Sequence, residues 1–189
     1  MTAGPHACPG HRAMNPSRFF HHCPRCGTKQ PAPPAGNMFV CAGCGFRYFF
    51  NAAAAAAAFI RRRDGRWLFI RRAKDPGKGM LAPAGRFIDI GEAAETAVRR
   101  EIREEVGLRL EDVRFLCSHP NSYLYGDVTY PTLDLFFVAK ALEGDEARAL
   151  DDVQGFVWAA MGDIAPEQLA FMSMQAAWRQ LRAEHPVGP

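Results

Sequence analysis

Two sets of residues in this chain have types and spacings that could do chemistry. One is the carboxylate run Glu101, Glu104 and Glu105, and the other is two cysteine pairs, Cys23-Pro-Arg-Cys26 and Cys41-Ala-Gly-Cys44. The carboxylates lie in a stretch whose pattern predicts a helix from about Glu92 to Val106, stopped by Gly107, a natural left-handed C-terminal cap. At ~100° per residue with Ala94 at 0°, Ala97 falls near −60°, Val98 near +40° and Ile102 near +80°, which defines the buried face. On the same ~100° step Glu101 falls near −20° and Glu105 near +20°, inside that apolar arc, with Glu104 at its margin near −80°. A solvated amphipathic helix would turn its glutamates away from the apolar stripe, and buried carboxylates need a cation. A divalent ion such as Mg²⁺ or Mn²⁺, which prefers carboxylate oxygens, is one candidate for that role, and Arg100 is the other. An Arg-Glu ion-pair network on a surface helix would show the same spacing, and the placement inside the apolar arc favours the metal.

The cysteine pairs are separated by fourteen residues, and each is followed by a glycine, Gly27 or Gly45. A two-residue gap lets both thiolates of a pair face one ion, and four thiolates select zinc. Two disulfides would need an oxidising compartment, for which residues 1–20 give no secretory pattern. A segment of about fifty residues with few apolar side chains could need the ion simply to fold, so the expected zinc is structural. Cys8 with His11, and His21 with His22, offer other ligands, but the four paired cysteines already complete a site, and Cys117 reads as a buried core thiol.

The segment around the glutamates resembles the signature of the Nudix hydrolases. That signature is Gly, five residues, Glu, seven residues, Arg-Glu, an aliphatic residue, any residue, Glu-Glu, any residue, Gly and an aliphatic residue. Glu92, Arg100, Glu101, Ile102, Glu104, Glu105, Gly107 and Leu108 match it in register. The opening glycine does not match: Arg86 stands there, with Gly85 one place early. The resemblance implies an α/β/α sandwich with a mixed sheet, preceded here by a small zinc ribbon. It also implies cleavage of the diphosphate bond of a nucleoside diphosphate linked to another group. In that reading Glu101 and Glu105 are ligands of Mg²⁺ or Mn²⁺, Glu104 is ligand or general base, and Arg100 orients a carboxylate. Arg86 would stand at the metal mouth, placed to grip a phosphate, and would be strained if its position requires positive φ.

A four-cysteine ribbon joined to such a domain resembles the NADH pyrophosphatase group of the family. The group's array Ser-Gln-Pro-Trp-Pro-Phe-Pro-x-Ser is replaced here by Ser118-His-Pro-Asn-Ser-Tyr-Leu-Tyr125, which keeps only the Ser and the first Pro. NADH, NAD, ADP-ribose and related dinucleotides are therefore all candidate substrates. Tyr123 and Tyr125 are candidates to stack on a base, although tyrosines at this spacing also suit strand packing. The alternative is a Nudix-fold nucleotide sensor impaired in catalysis, for which Arg86 is the sole support.

These groups must be held by elements that the rest of the sequence makes legible. The chain has 189 residues, 48% of them hydrophobic and 23% charged, enough for one core and a small accessory module. Residues 52–58 are seven alanines, followed by Phe59-Ile60, a basic stretch and Trp67-Leu-Phe-Ile70. Alanine favours a helix, yet Asp64-Gly65 between two apolar runs predicts strand, turn, strand. Arg71, Arg72 and Lys78 border the next motif and could meet a phosphate, with Arg71 the chosen candidate, and Asp75–Gly79 reads as a turn. Residues 130–138 alternate like a strand, 155–158 form a second short one, and 166–182 suit a closing helix. Asp134 interrupts the first of these strands, either as a further metal ligand or as an arginine partner.

The expected division is a flexible tail over 1–18, a zinc ribbon over 19–50, a Nudix domain over 51–183 and a tail over 184–189. Residues 1–50 hold five basic groups and no acid, and the remaining 18 basic groups face 20 acids, for a net charge of +3. A net charge of +3 is too small by itself to imply nucleic-acid binding, and thiolates around zinc would offset part of the +5 carried by residues 1–50. The ribbon is then a structural unit or a homodimer surface, and the partner is a small-molecule nucleotide. With no apolar run long enough for a bilayer, no membrane role and a cytoplasmic location are expected.

Overall fold

A computed structural model describes residues 16–34, 36–151 and 153–185. Most of the expected tails over 1–18 and 184–189, namely residues 1–15 with Cys8 and His11 and residues 186–189, lies outside the described residues. The chain divides into two compact units, one comprising the residues up to Asn51 together with Leu124–Tyr130, the other the remainder.

In the first unit, β1 (Met38–Val40) and β2 (Arg47–Phe49) form an antiparallel ribbon. Its small core is Cys23, Phe39 and Cys41, flanked by Phe20, Phe46 and Phe50. So few apolar side chains offset little of the ordering entropy of the segment.

The second unit is a seven-stranded mixed sheet between two helices. The alanine run is strand β3 (Ala53–Arg61), and the Asp64-Gly65 turn, with Gly65 at φ +87°, returns the chain as β4 (Trp67–Arg72). Helix propensity loses here because β3 is a central strand, parallel to β8 (Val128–Ala141) on one side and antiparallel to β6 (Ala84–Phe87) on the other. The sequence 81–87 first pairs with β4 as β5 (Leu81–Ala82), then crosses to β3 as β6 after Pro83. β9 (Val153–Ala159) lies along the other side of β4, and β7 (Leu110–Tyr125) is the outer neighbour of β8. Gly126 and Asp127 join β7 to β8, a two-residue connection that only an antiparallel pair permits.

The close approach of β6 to β3 requires glycine at position 85. A Cβ at Gly85 would lie 2.2 Å from the Ala56 carbonyl oxygen and 2.4 Å from the Ala57 Cα. Helix α1 (Ala94–Val106) packs on β3 and β6 through Ala97, Val98 and Ile102, and ends at Gly107 with φ +73°. Helix α2 (Met172–Glu184) covers the opposite face, where the Trp178 ring meets Phe59, Phe69 and Trp67. The closing helix begins later than the sequence suggests, after a 3₁₀ turn at Pro166–Gln168. No helix among the described residues is long and apolar enough to cross a membrane.

Candidate active site

Helix α1 supplies the carboxylates. Glu101 and Glu105 are 4% and 7% exposed, on the buried face with Ile102, as the helical wheel places them. Glu104 points outward, its side chain 53% exposed. Arg100 ties this group together. Its Nε and Nη2 donate to the two Glu92 oxygens at 2.9 and 2.7 Å, and its Nη1 donates to Glu101 at 2.5 Å and Glu104 at 3.4 Å. Glu92 is itself fixed by the backbone N–H of Asp89, which donates to its Oε2 at 3.2 Å. Arg100 thus lowers the Glu92 carboxyl below its ordinary value. Glu101 is nonetheless raised, because burial outweighs the same arginine.

Glu105 stands apart from that network. Its Oε2 accepts the Gly85 backbone N–H at 2.9 Å, and burial pushes its carboxyl up to about 8, with the Glu101 charge adding to the rise. The charges of Arg86 and Arg72 pull it the other way. Gly85, at φ +144°, carries the backbone requirement expected of the signature's first glycine. Arg86 is not among the positive-φ residues, so the strain considered for it does not arise. Its guanidinium lies 3.7 Å from Asp151, and its charge acts on both Glu101 and Glu105.

The flanking candidates separate. Arg71 donates to the Gly79 carbonyl at 2.6 Å, within its own hairpin. Arg72, its neighbour, places its guanidinium 5.0 Å over the Phe171 ring, and its charge reaches Glu105. Tyr123 meets Phe87 edge to face at 5.6 Å and Phe171 at 5.8 Å. Tyr125, 70% exposed, belongs to the hairpin tip grouped with the first unit. Phe87 and Phe171 carried no sequence signal beyond being aromatic, since their meeting with Tyr123 depends on three separate elements. Among the described residues, those that donate to Asp134 are Thr132, Asn121 and Ser173, all neutral, in place of the arginine or metal considered for it.

The cysteine donors suit the ion expected of them. The four cysteine sulfurs lie within 4.8 Å of one another, with 3.8 Å from Cys23 to Cys44 and 3.6 Å from Cys26 to Cys41. Zn–S bonds of ~2.3 Å in a tetrahedron give sulfur separations of about 3.8 Å, so the cluster is compatible with zinc. Cys26 is lowered to about 6, first by the Thr28 hydroxyl, whose oxygen is 3.2 Å from its sulfur. The glutamate oxygens do not gather as tightly; among the described residues only the cysteines bring three or more ligand atoms within that distance. They are, however, hard donors on one helix, and Glu105 is a buried carboxyl with one N–H partner, the setting in which a hard divalent ion replaces a proton.

Residues 51–180 match the family model described as the NUDIX domain, and the chain belongs to the Nudix family. It is similar to a protein of Pseudomonas aeruginosa named NAD-capped RNA hydrolase NudC, 23% identical over 154 residues that make up 79% of this chain and 51% of the relative. A human mitochondrial protein named NAD(P)H pyrophosphatase NUDT13 is 33% identical over 96 residues, 51% of this chain and 27% of that one. The chain spans about half the length of the first curated relatives it matches. Among solved structures, a MutT NUDIX hydrolase from Burkholderia pseudomallei is 30% identical with a TM-score of 0.59, covering 69% of this chain and 98% of that one.

Proposed function

We propose that the chain is a metal-dependent pyrophosphohydrolase that cleaves the diphosphate bond of a nucleoside diphosphate linked to another moiety, with NADH, NAD, ADP-ribose and related dinucleotides as candidates. The observation that carries this reading is the pair of buried carboxylates on α1, Glu101 and Glu105, flanked by two arginines from separate strands. Glu101, Glu104 and Glu105 would hold Mg²⁺ or Mn²⁺, which when bound supplies charge neutralisation to the diphosphate and lowers the pKa of a coordinated water. Arg100 orients Glu92, Glu101 and Glu104 and so fixes the geometry of the ligand set. Arg86 exchanges its weak, exposed pairing with Asp151 for a substrate phosphate oxygen.

Arg72 joins the two halves of the substrate site. Its charge acts at Glu105 while its guanidinium lies over Phe171, so a phosphate held there leaves the attached nucleoside beside the rings of Phe87, Tyr123 and Phe171. Planar rings of that kind accept a base by stacking. The names of the two relatives support a nicotinamide dinucleotide, and one of them extends the candidates to an NAD-capped RNA. Residues 51–183 form the catalytic domain in this reading, and residues 19–50 a ribbon held by a structural Zn²⁺ on Cys23, Cys26, Cys41 and Cys44.

The test incubates the zinc-loaded protein, with Mg²⁺ and separately Mn²⁺, with NADH, NAD, ADP-ribose, FAD, dinucleoside polyphosphates and an NAD-capped oligoribonucleotide, resolving products by chromatography beside Glu104→Gln and Glu105→Gln. Metal-dependent cleavage lost in both variants is the expected outcome. Binding of nucleotide without turnover of any substrate would instead make the chain a sensor.

A further inference from the structure

Asp134 is 8% exposed in the middle of β8, in a strand whose other buried residues are mostly apolar. A carboxylate in such a place is costly unless its oxygens are satisfied, and a well-packed aliphatic side chain would often serve the core at least as well. The Asp134 Oδ1 accepts the Thr132 hydroxyl at 2.9 Å, and its Oδ2 accepts the Asn121 amide at 2.9 Å and the Ser173 hydroxyl at 2.6 Å. All three donors are neutral, and they come from β8, β7 and α2.

Two of these connections, through Asn121 and Ser173, and the sheet row of Asp134 itself each lead to one ring of the aromatic group. Asn121 is two residues before Tyr123 on β7, so both side chains leave the same face of the sheet. Ser173 is two residues after Phe171, the residue that precedes α2. Asp134 itself lies opposite Ala55 in β3, and Ala55 lies opposite Phe87 in β6, which puts Asp134 and Phe87 in one row across the sheet. The three rings touch in series, Phe87 on Tyr123 at 5.6 Å and Tyr123 on Phe171 at 5.8 Å, yet they come from three segments distant in sequence.

We infer that Asp134 is a positioning residue for base recognition: its carboxylate fixes β7, β8 and α2 in the relative placement that aligns Phe87, Tyr123 and Phe171 as a single stacking wall for the nucleobase. This rests on the reading of those rings as the nucleoside subsite. Asp134 touches neither substrate nor metal; it acts through Asn121 and Ser173.

The test measures binding of two probes by calorimetry in Mg²⁺ buffer: ADP, which carries a base, and inorganic pyrophosphate, which does not. Asp134→Asn keeps the size but turns an amide N–H₂ toward the present donors, and Ser173→Ala and Asn121→Ala each delete one donor, so a folded variant is at hand if the first fails to fold. Losing one or two aligned hydrogen bonds should weaken ADP binding by about tenfold and leave pyrophosphate within about twofold. For whichever substrate the protein turns over, KM should rise by a similar factor with kcat little changed, a split that a merely destabilised core would not produce. Equal weakening of both probes, or unchanged ADP binding in all three folded variants while Phe87→Ala and Tyr123→Ala weaken it, overturns the role of Asp134 alone. Unchanged ADP binding in Phe87→Ala and Tyr123→Ala overturns the stacking wall itself, and the role of Asp134 with it.

Discussion

Replacing Gly85 by alanine tests whether this residue, rather than position 86, bears the backbone requirement of the site. The added Cβ would meet the Ala56 carbonyl oxygen at 2.2 Å and the Ala57 Cα and Cβ at 2.4 and 2.8 Å. Two of these are backbone atoms of a central strand bonded on both sides, so they cannot rotate out of the way. Overpacking of this kind costs ~1–3 kcal/mol, and a non-glycine residue held at φ +144° adds strain of ~1–3 kcal/mol. Their combined destabilisation is about 2–6 kcal/mol, equivalent to about 4–24 °C in Tm for a chain of this size. Moving β6 off β3 also draws the Gly85 N–H away from Glu105, so affinity for Mg²⁺ should change together with Tm. Arg86→Gly is the control, expected to cost about 1 kcal/mol from the backbone entropy of a glycine in a strand, because Arg86 is exposed and free of positive φ. Calorimetric unfolding of both variants decides the matter. A Gly85→Ala protein that melts with the parent, or an Arg86→Gly protein that is the more perturbed of the two, refutes the assignment.

Two further outcomes follow from the carboxylates and the thiolates. Because burial raises Glu105 from 4.5 to about 8, the folded metal-free protein holds that proton more tightly than the unfolded chain. The associated stability is fully present below about pH 4.5 and is lost as pH rises toward 8, by an amount on the order of several kcal/mol. Urea unfolding of chelator-treated protein at pH 5 and pH 8 should show this decline, Glu105→Gln should lack it, and parallel curves for the two proteins would remove the argument. For the ribbon, native mass spectrometry should find one zinc ion per chain, and its removal by chelator should abolish hydrogen-exchange protection around Cys23, Phe39 and Cys41. Two disulfides in place of the ion would contradict the site.

The buried placement of Glu101 and Glu105 and the cysteine pairing were legible from spacing, because helical periodicity and two-residue knuckles are local patterns that the tertiary packing here does not override. The hairpin at Asp64-Gly65 and the stop at Gly107 are likewise local backbone requirements. The alanine run shows where local propensity stops being a guide, since its strand conformation is fixed by β6 and β8, which reach it from thirty and eighty residues away. Arg71 and Arg72 are equivalent as sequence, and tertiary contacts alone send one guanidinium to Gly79 and the other to Phe171. The sequence also left Asp134 between a metal and an arginine, when its partners are three neutral groups, two of them brought by β7 and α2. What the sequence by itself determined were the groups that can do chemistry and the short-range elements that carry them. Which of those groups meet depended on the tertiary structure, because contact between distant segments is set by the burial of whole faces of the sheet, and no local pattern encodes it.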